Sequence, residues 1–142
     1  MKILITGAAG QIGSGLSKLL IENGHDLTLV DNLRNGYLEN LKDDANEVIA
    51  PFYEVDITSG EFFLQCGDQY DVIIHLAAIT SLPDCESNPL KTLRINVSGT
   101  ANVLEFAREF DVPHVIFAST SAIYENNDTE VFTEDLEVNP RL

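Results

Sequence analysis

Five short apolar runs punctuate the chain, at Lys2 to Thr6, Asp26 to Asp31, Val48 to Val55, Asp71 to Leu76 and His114 to Ser119, with helical or loop-like stretches between them. Such alternation predicts a parallel sheet joined by crossover connections. The second, fourth and fifth runs are apolar at almost every position, as expected of strands covered by helices on both faces. The fold class that follows is α/β, a doubly wound parallel sheet of five strands. Between the first two runs, Ile12, Leu16, Leu19 and Leu20 recur on one helical face, and Asn23-Gly24 supplies a left-handed stop. Asn88 to Phe110 reads as the longest helix, with Asn88 as N-cap, Pro89 at the first helical position, and Pro113 preventing continuation. Its apolar residues form two stripes, Leu93, Val97, Ala101, Leu104 beside Ile95, Val103, Phe106, Phe110. That is wider than one sheet face needs, so something besides the sheet is expected to cover it. From Glu125 to Leu142 the residues turn polar and acidic without either period, which predicts a loop.

A length of 142 residues with 44% apolar positions suits one domain with one core, spanning 1–142. The formal charge of −15 argues against nucleic acid, which would need cations gathered on one face. The excess acid reads as a solubility device. Cys66 and Cys85 lack the paired spacing of a zinc or redox site and read as reduced thiols of a cytoplasmic protein. The opening Met1-Lys2-Ile3-Leu4-Ile5-Thr6-Gly7 has too few apolar residues before its glycine for a signal peptide or membrane span. No metal-binding motif and no internal repeat are found.

The chemistry concentrates at the ends of the apolar runs. The first passes directly into Thr6-Gly7-Ala8-Ala9-Gly10-Gln11-Ile12-Gly13 and then a helix, so small residues lie where backbone N–H groups would meet an anion. Gly7 suits a tight turn, Gly10 a close approach by a pyrophosphate, and Gly13 close helix packing, with Ala9, Gln11 and Ile12 completing the cradle. Asp31, 18 residues past Gly13, ends the second run, where a carboxylate accepts hydrogen bonds from an adenosine ribose and repels a 2′-phosphate. NAD is thereby favoured over NADP, with Asn32 beside it; Arg34 nearby leaves NADP as the minor alternative.

The Gly-x-x-Gly-x-x-Gly spacing resembles the short-chain dehydrogenase family, and further motifs extend the resemblance to its extended branch, the NAD-dependent nucleotide-sugar epimerases and dehydratases. Asp56-Ile57 is similar to the family's adenine clamp. His75-Leu76-Ala77-Ala78 resembles its signature at the nicotinamide ribose, and Ser81 falls where a substrate-side serine is common. Asn96-Val97-Ser98-Gly99-Thr100 resembles its Asn-Val-x-Gly-Thr motif, whose asparagine supports the active-site strand. Phe117 to Tyr124 follows its Phe-x-Ser-Ser-x-x-x-Tyr pattern, which puts Thr120 on the catalytic serine or threonine, with Ser121 and Tyr124 toward the sugar. Glu125 stands where the family has glycine, a departure over the sugar site. His75 itself reads as a hydrogen-bonded core residue, and neither it nor His25 or His114 is assigned chemistry.

The resemblance implies a Rossmann-type NAD-binding half and a nucleotide-sugar substrate oxidised to a transient 4-keto form. It also implies a homodimer through the 88–110 helix. A Tyr-x-x-x-Lys pair is expected about twenty residues past Tyr124, yet no lysine follows Lys91. The stretch is therefore expected to bind NAD without turnover, lacking the catalytic helix and substrate domain. Two origins stay open, a portion of a longer enzyme or a natural fragment. The alternative function is a non-catalytic dinucleotide-binding regulatory module.

Overall fold

The computed structural model describes residues 1–140. Its strands β1 (Lys2–Thr6), β2 (Asp26–Asp31), β3 (Phe52–Glu54), β4 (Val72–His75) and β5 (His114–Phe117) form one sheet in the order β3-β2-β1-β4-β5, with every pairing parallel. The chain steps outward from β1 to β2 and β3, then crosses back to the far side for β4 and β5. The order reverses between β1 and β4, and at such a switch the carboxyl ends of the strands leave a crevice.

Helices α1 (Gln11–Glu22), α2 (Glu61–Cys66), α3 (Leu82–Ser87), α4 (Pro89–Leu93) and α5 (Thr100–Glu109) connect the strands, with a π-helical turn at Arg94–Gly99 joining α4 to α5. Alternate residues of the central strands face opposite layers. Leu4, Val30 and Ile73 join Phe62, Val103 and Phe106 on one face, while Ile3, Ile5, Leu27, Leu29 and Ile74 meet Leu41, Leu16 and Leu20 on the other. Phe106 centres the first layer, its ring 4.7 Å from Phe62 and 4.5 Å from Phe110. Burying a side chain of this size contributes roughly 1.5–3 kcal/mol.

The Asn88 cap is observed, its side chain accepting the Lys91 N–H (3.2 Å), and Gly24 adopts the left-handed stop (φ 79°). Three expectations need correction. The third strand is shorter than Val48 to Val55: Pro51 lends only its carbonyl to Leu29, while Val48 bridges back to Lys42 in a small antiparallel excursion. Asn46 at φ 64° turns that excursion, so apolarity alone overstated the strand. On α1, Gly13 and Ser17 are the residues fully buried, whereas Ile12 and Leu19 stand 71% and 54% exposed. The helix approaches on its glycine side, which turns Ile12 and Leu19 outward while Leu16 and Leu20 still pack against the core. Finally, β5 is not covered on both faces. It is an edge strand, and Ile116 and Phe117 remain 55% and 58% exposed although Val115 packs into the core. The outer stripe of the long helix is uncovered as well, with Leu93, Val97 and Leu104 exposed among the described residues.

The tightest packing gives the first prediction. A Cβ on Gly13 would lie 2.3 Å from the Gly7 carbonyl oxygen and 2.8 Å from Ala8 Cα, while one on Gly15 would meet nothing within 4 Å. Gly13→Ala is expected to lower stability by about 1–3 kcal/mol through overpacking. Gly15→Ala should raise it by about 0.4–1 kcal/mol through helix propensity and a less free unfolded chain. Urea unfolding of both variants checks the pair, and equal effects would contradict the close approach at Gly13.

Candidate functional site

The crevice at the β1/β4 switch is built from backbone. Gly7 has φ 73°, and a Cβ there would fall 2.7 Å from Ala77 N, so the turn after β1 can pass the end of β4 only as glycine. The chain then closes on itself, Gly10 N–H donating to Gly7 O (3.2 Å), and enters α1 with Gly10 as an N-cap that offers no side chain. Ser14 is the first residue whose N–H closes onto the helix, at Gly10 O (2.9 Å). The amides of Gln11, Ile12 and Gly13 are thus the orphan donors of a twelve-residue helix with no acid in its first turn.

Two cavities meet there. The larger, 630 Å³, is lined by Gly7, Gly10, Gln11, Ile12, Gly13, Leu76, Ala77, Ala78, Asn96 and Thr120, together with His75, Ile79, Thr80, Thr100 and the Phe117 to Ser119 strand end. None of these residues carries a carboxylate. The smaller, a 60 Å³ slot, is lined by Val30, Asp31, Asn32, Arg34, Val55, Asp56, Ile57 and Ile95, and shares Gly7, Ala77, Ala78 and Ile79 with its neighbour. A ligand running from one to the other would pass Gly7 and the Ala77 to Ile79 segment, with the open end of α1 lining the larger cavity.

Both carboxylates of the slot are already oriented. Asp31 accepts the Ala9 N–H (3.0 Å) and the Leu33 N–H (2.8 Å), which ties the tip of β2 to the glycine turn. Asp56 accepts from the Thr58 amide (2.8 Å), the Thr58 hydroxyl (2.7 Å) and the Asn32 amide (3.0 Å). Burial pushes the Asp56 carboxyl upward, but these hydrogen bonds and the Arg94 charge outweigh it and hold it below the usual carboxylate range. Asp56 is thus an anion and an acceptor near neutral pH.

The wall shared by the two cavities is held by side chains behind it. Asn96, in the π-helical turn, accepts the Ile79 N–H and donates to the Ile79 carbonyl, both at 2.8 Å. His75 is buried in the core, as the sequence suggested, with Nδ1 2.7 Å from Thr6 Oγ1 and Nε2 3.0 Å from Thr100 Oγ1. Burial lowers its pKa to about 4, so the ring is neutral.

Thr120 stands on the rim of the larger cleft, its hydroxyl oxygen accepting the Ala122 N–H (3.1 Å) and capping the short turn Ser121–Tyr124. Among the described residues the hydroxyl proton meets no acceptor. Ala9 lies behind the turn, its amide committed to Asp31 and its carbonyl accepting from Asn40 Nδ2 (2.8 Å), so it does not face the cleft. Ser81 precedes α3 outside the cleft without a side-chain capping bond, and Tyr124 packs its ring 6.3 Å from Phe132. The Ser121 side chain lies outside the described residues. Sequence reasoning missed Thr6, Thr100, Ile79 and Ile95, whose neighbours are distant along the chain.

The state of His75 predicts a pH dependence. Its folded pKa, about 4, is below the ordinary 6.5, so the unfolded chain binds the proton more readily. This group's contribution to stability is complete above about pH 6.5 and is lost as pH falls toward about 4. A ¹H–¹⁵N spectrum of the ring at pH 5 is expected to show the neutral form; titration near 6.5 would contradict the buried relay.

The profile of the NAD dependent epimerase/dehydratase family matches residues 3–141. A putative UDP-glucose 4-epimerase of Methanocaldococcus jannaschii is 35% identical over 139 residues, covering 97% of this chain and 44% of that protein. A UDP-N-acetyl-alpha-D-glucosaminuronate decarboxylase of Bacillus cytotoxicus is 34% identical over 134 residues, covering 94% of this chain and 40% of its own length. Among solved structures, the UDP-glucose 4-epimerase of Thermus thermophilus in complex with NAD superposes with a TM-score of 0.81 at 32% identity, over 99% of this chain and 44% of that one. The chain therefore spans less than half the length of these relatives, and by sequence and fold alike it belongs to the NAD dependent epimerase/dehydratase family.

Proposed function

We propose that this chain is the cofactor-binding half of an NAD-dependent nucleotide-sugar epimerase or dehydratase that works through a 4-keto sugar. The observation that carries the reading is the pair of cavities joined at Gly7, Ala77, Ala78 and Ile79, with the uncapped start of α1 lining the larger. Residues of the right chemistry lie along that path. The amides of Gln11, Ile12 and Gly13 and the bare approach at Gly10 suit a pyrophosphate. Asp31 suits ribose hydroxyls, Asp56 and Ile57 an adenine edge, and the small residues Ala77 and Ala78, with Leu76, a second ribose. Asn96 keeps its amide on Ile79 and acts by holding that wall. NAD, when bound, supplies a hydride acceptor for a sugar carbinol.

The substrate side follows from the hydroxyls at the end of β5. Thr120, whose oxygen accepts from Ala122 and whose proton meets no acceptor among the described residues, donates a hydrogen bond to the reacting sugar oxygen. Ser81, Ser121 and Tyr124, in the segments that follow β4 and β5, are assigned to sugar contacts. In this reading a tyrosine activated by a lysine four residues on takes the proton; Tyr124 is not that tyrosine, since Asp128 stands four residues after it. The exposed stripe of Leu93, Val97 and Leu104 supports a homodimer through the 88–110 helix.

Three measurements test this. Calorimetry at millimolar NAD is expected to detect binding that Gly10→Val abolishes by occupying the pyrophosphate path. Asp31→Ala should weaken it by about 1–3 kcal/mol through lost hydrogen bonds; unchanged affinity would remove the ribose assignment. Light scattering across micromolar concentrations is expected to show self-association that Val97→Glu suppresses, and a clean monomer would overturn the dimer.

A further inference from the structure

The hydrogen bonds around His75 have one consistent assignment. Thr100 spends its single hydroxyl proton on the Asn96 carbonyl (2.7 Å), so toward His75 it can only accept, and Nε2 must carry the ring proton. Nδ1 is then bare and accepts the Thr6 hydroxyl proton at 2.7 Å. The Thr6 oxygen, having given its proton away, accepts the Ala77 N–H at the long distance of 3.4 Å. Beyond Thr100 lies Asn96, whose amide grips both backbone groups of Ile79.

The chain of contacts starts at Ala77 and ends at Ile79. Its two ends belong to the same short wall, yet they are tied to different elements, one to β1 through Thr6 and one to the long helix through Asn96. Among the described residues, His75 is the side chain that touches both ties. A core position at this depth needs only an apolar side chain to fill it, and burying an imidazole costs free energy unless both nitrogens are satisfied. Here both are, by the Thr6 and Thr100 hydroxyls.

We propose that Thr6, His75 and Thr100 form a single relay that fixes the peptide wall 77–79 shared by both cavities, with His75 as the positioning residue coupling β1 to the long helix. The relay makes the glycine turn, which sits on β1, and the Asn96 tie on the helix report to one another. Loosening either end tilts the wall that both cavities use. For its ligand readout the proposal rests on the NAD-binding reading; for its geometry it does not.

The test uses threonine isosteres, because valine keeps the shape and removes the hydroxyl while serine restores it. In the unaltered chain, long-range ¹H–¹⁵N spectra are expected to find the His75 proton on Nε2. Thr100→Val should shift the Ala77 amide signal and Thr6→Val the Ile79 amide signal, each across the histidine. Each valine variant is expected to lower NAD affinity about tenfold, and the double variant about tenfold to thirtyfold where independent sites would give about a hundredfold. Thr6→Ser and Thr100→Ser should stay within about twofold. A proton on Nδ1, far-side amides that do not move, or affinities that multiply would each overturn the relay. If Thr6→Val does not fold, the tautomer and the Thr100 pair decide. If the unaltered chain shows no NAD affinity, the functional reading falls, and the tautomer and amide shifts still judge the relay.

Discussion

The turn after β1 has to squeeze past the end of β4, and most of the architecture is arranged around that contact. Gly7 takes a left-handed conformation where any Cβ would overlap Ala77, and α1 then folds back until Gly13 rests against the Gly7 carbonyl. A bulkier residue at either position would push the helix end away from the strand tips and split the crevice at the switch. Because the approach is made by backbone, the first-turn amides of α1 are delivered to the floor of the cleft with no side chain in the way. The same closeness lets Asp31, on the neighbouring strand, bond the Ala9 amide and so fasten β2 to the turn.

Features set by short sequence spacing were legible beforehand, and those set by neighbours in space were not. The Gly7, Gly10, Gly13 trio, the unbroken apolar character of β2 and β4, and the Asn88-Pro89 start of the long helix each carry their cause within a few residues. The errors share a different origin. Ile116 and Phe117 are as apolar as any buried strand residue, yet β5 has a partner on one edge only. Val48 and Ile49 look like strand because the pattern cannot register that Pro51 brings no amide and that Asn46 turns the chain back. On α1 the apolar stripe was placed by counting leucines, whereas the packing is set by where the helix can come closest, at Gly13 and Ser17.

The candidate site divides in the same way. Gly10, Asp31, Asp56, Ala77 and Thr120 were marked by motif and do converge on the two cavities. The threonines that lock the wall could not be found by pattern: Thr6 meets His75 across 69 residues and Thr100 meets it across 25. A buried histidine signals that partners exist without saying where. The π-helical turn at Arg94–Gly99 was equally invisible, yet it carries Asn96, whose amide meets both backbone groups of Ile79, and Gly99, which packs against Ile57. Local propensity sees a good helix there; the insertion answers to the loop opposite.

Charge poses the remaining physical question, since a chain with a formal charge of −15 is an unpromising receptor for a pyrophosphate. The resolution lies in where the acids are. Of 23 acidic residues, none lines the larger cleft, and the first turn of α1 has none either. His75, which lines that cleft, is neutral and adds no charge to it. Many of the remaining carboxylates sit on exposed loops such as Glu125 to Glu137, where salt screens them beyond about 8 Å at physiological ionic strength. At the larger cleft the nearest polar groups of α1 are its orphan amides, while the slot holds Arg34 together with Asp31 and Asp56. The two carboxylates that do approach, Asp31 and Asp56, stand on the slot side, where hydroxyls and an amine would need acceptors. An acidic exterior and an anion-receptive interior are compatible because solvent erases the first over the distance at which the second acts.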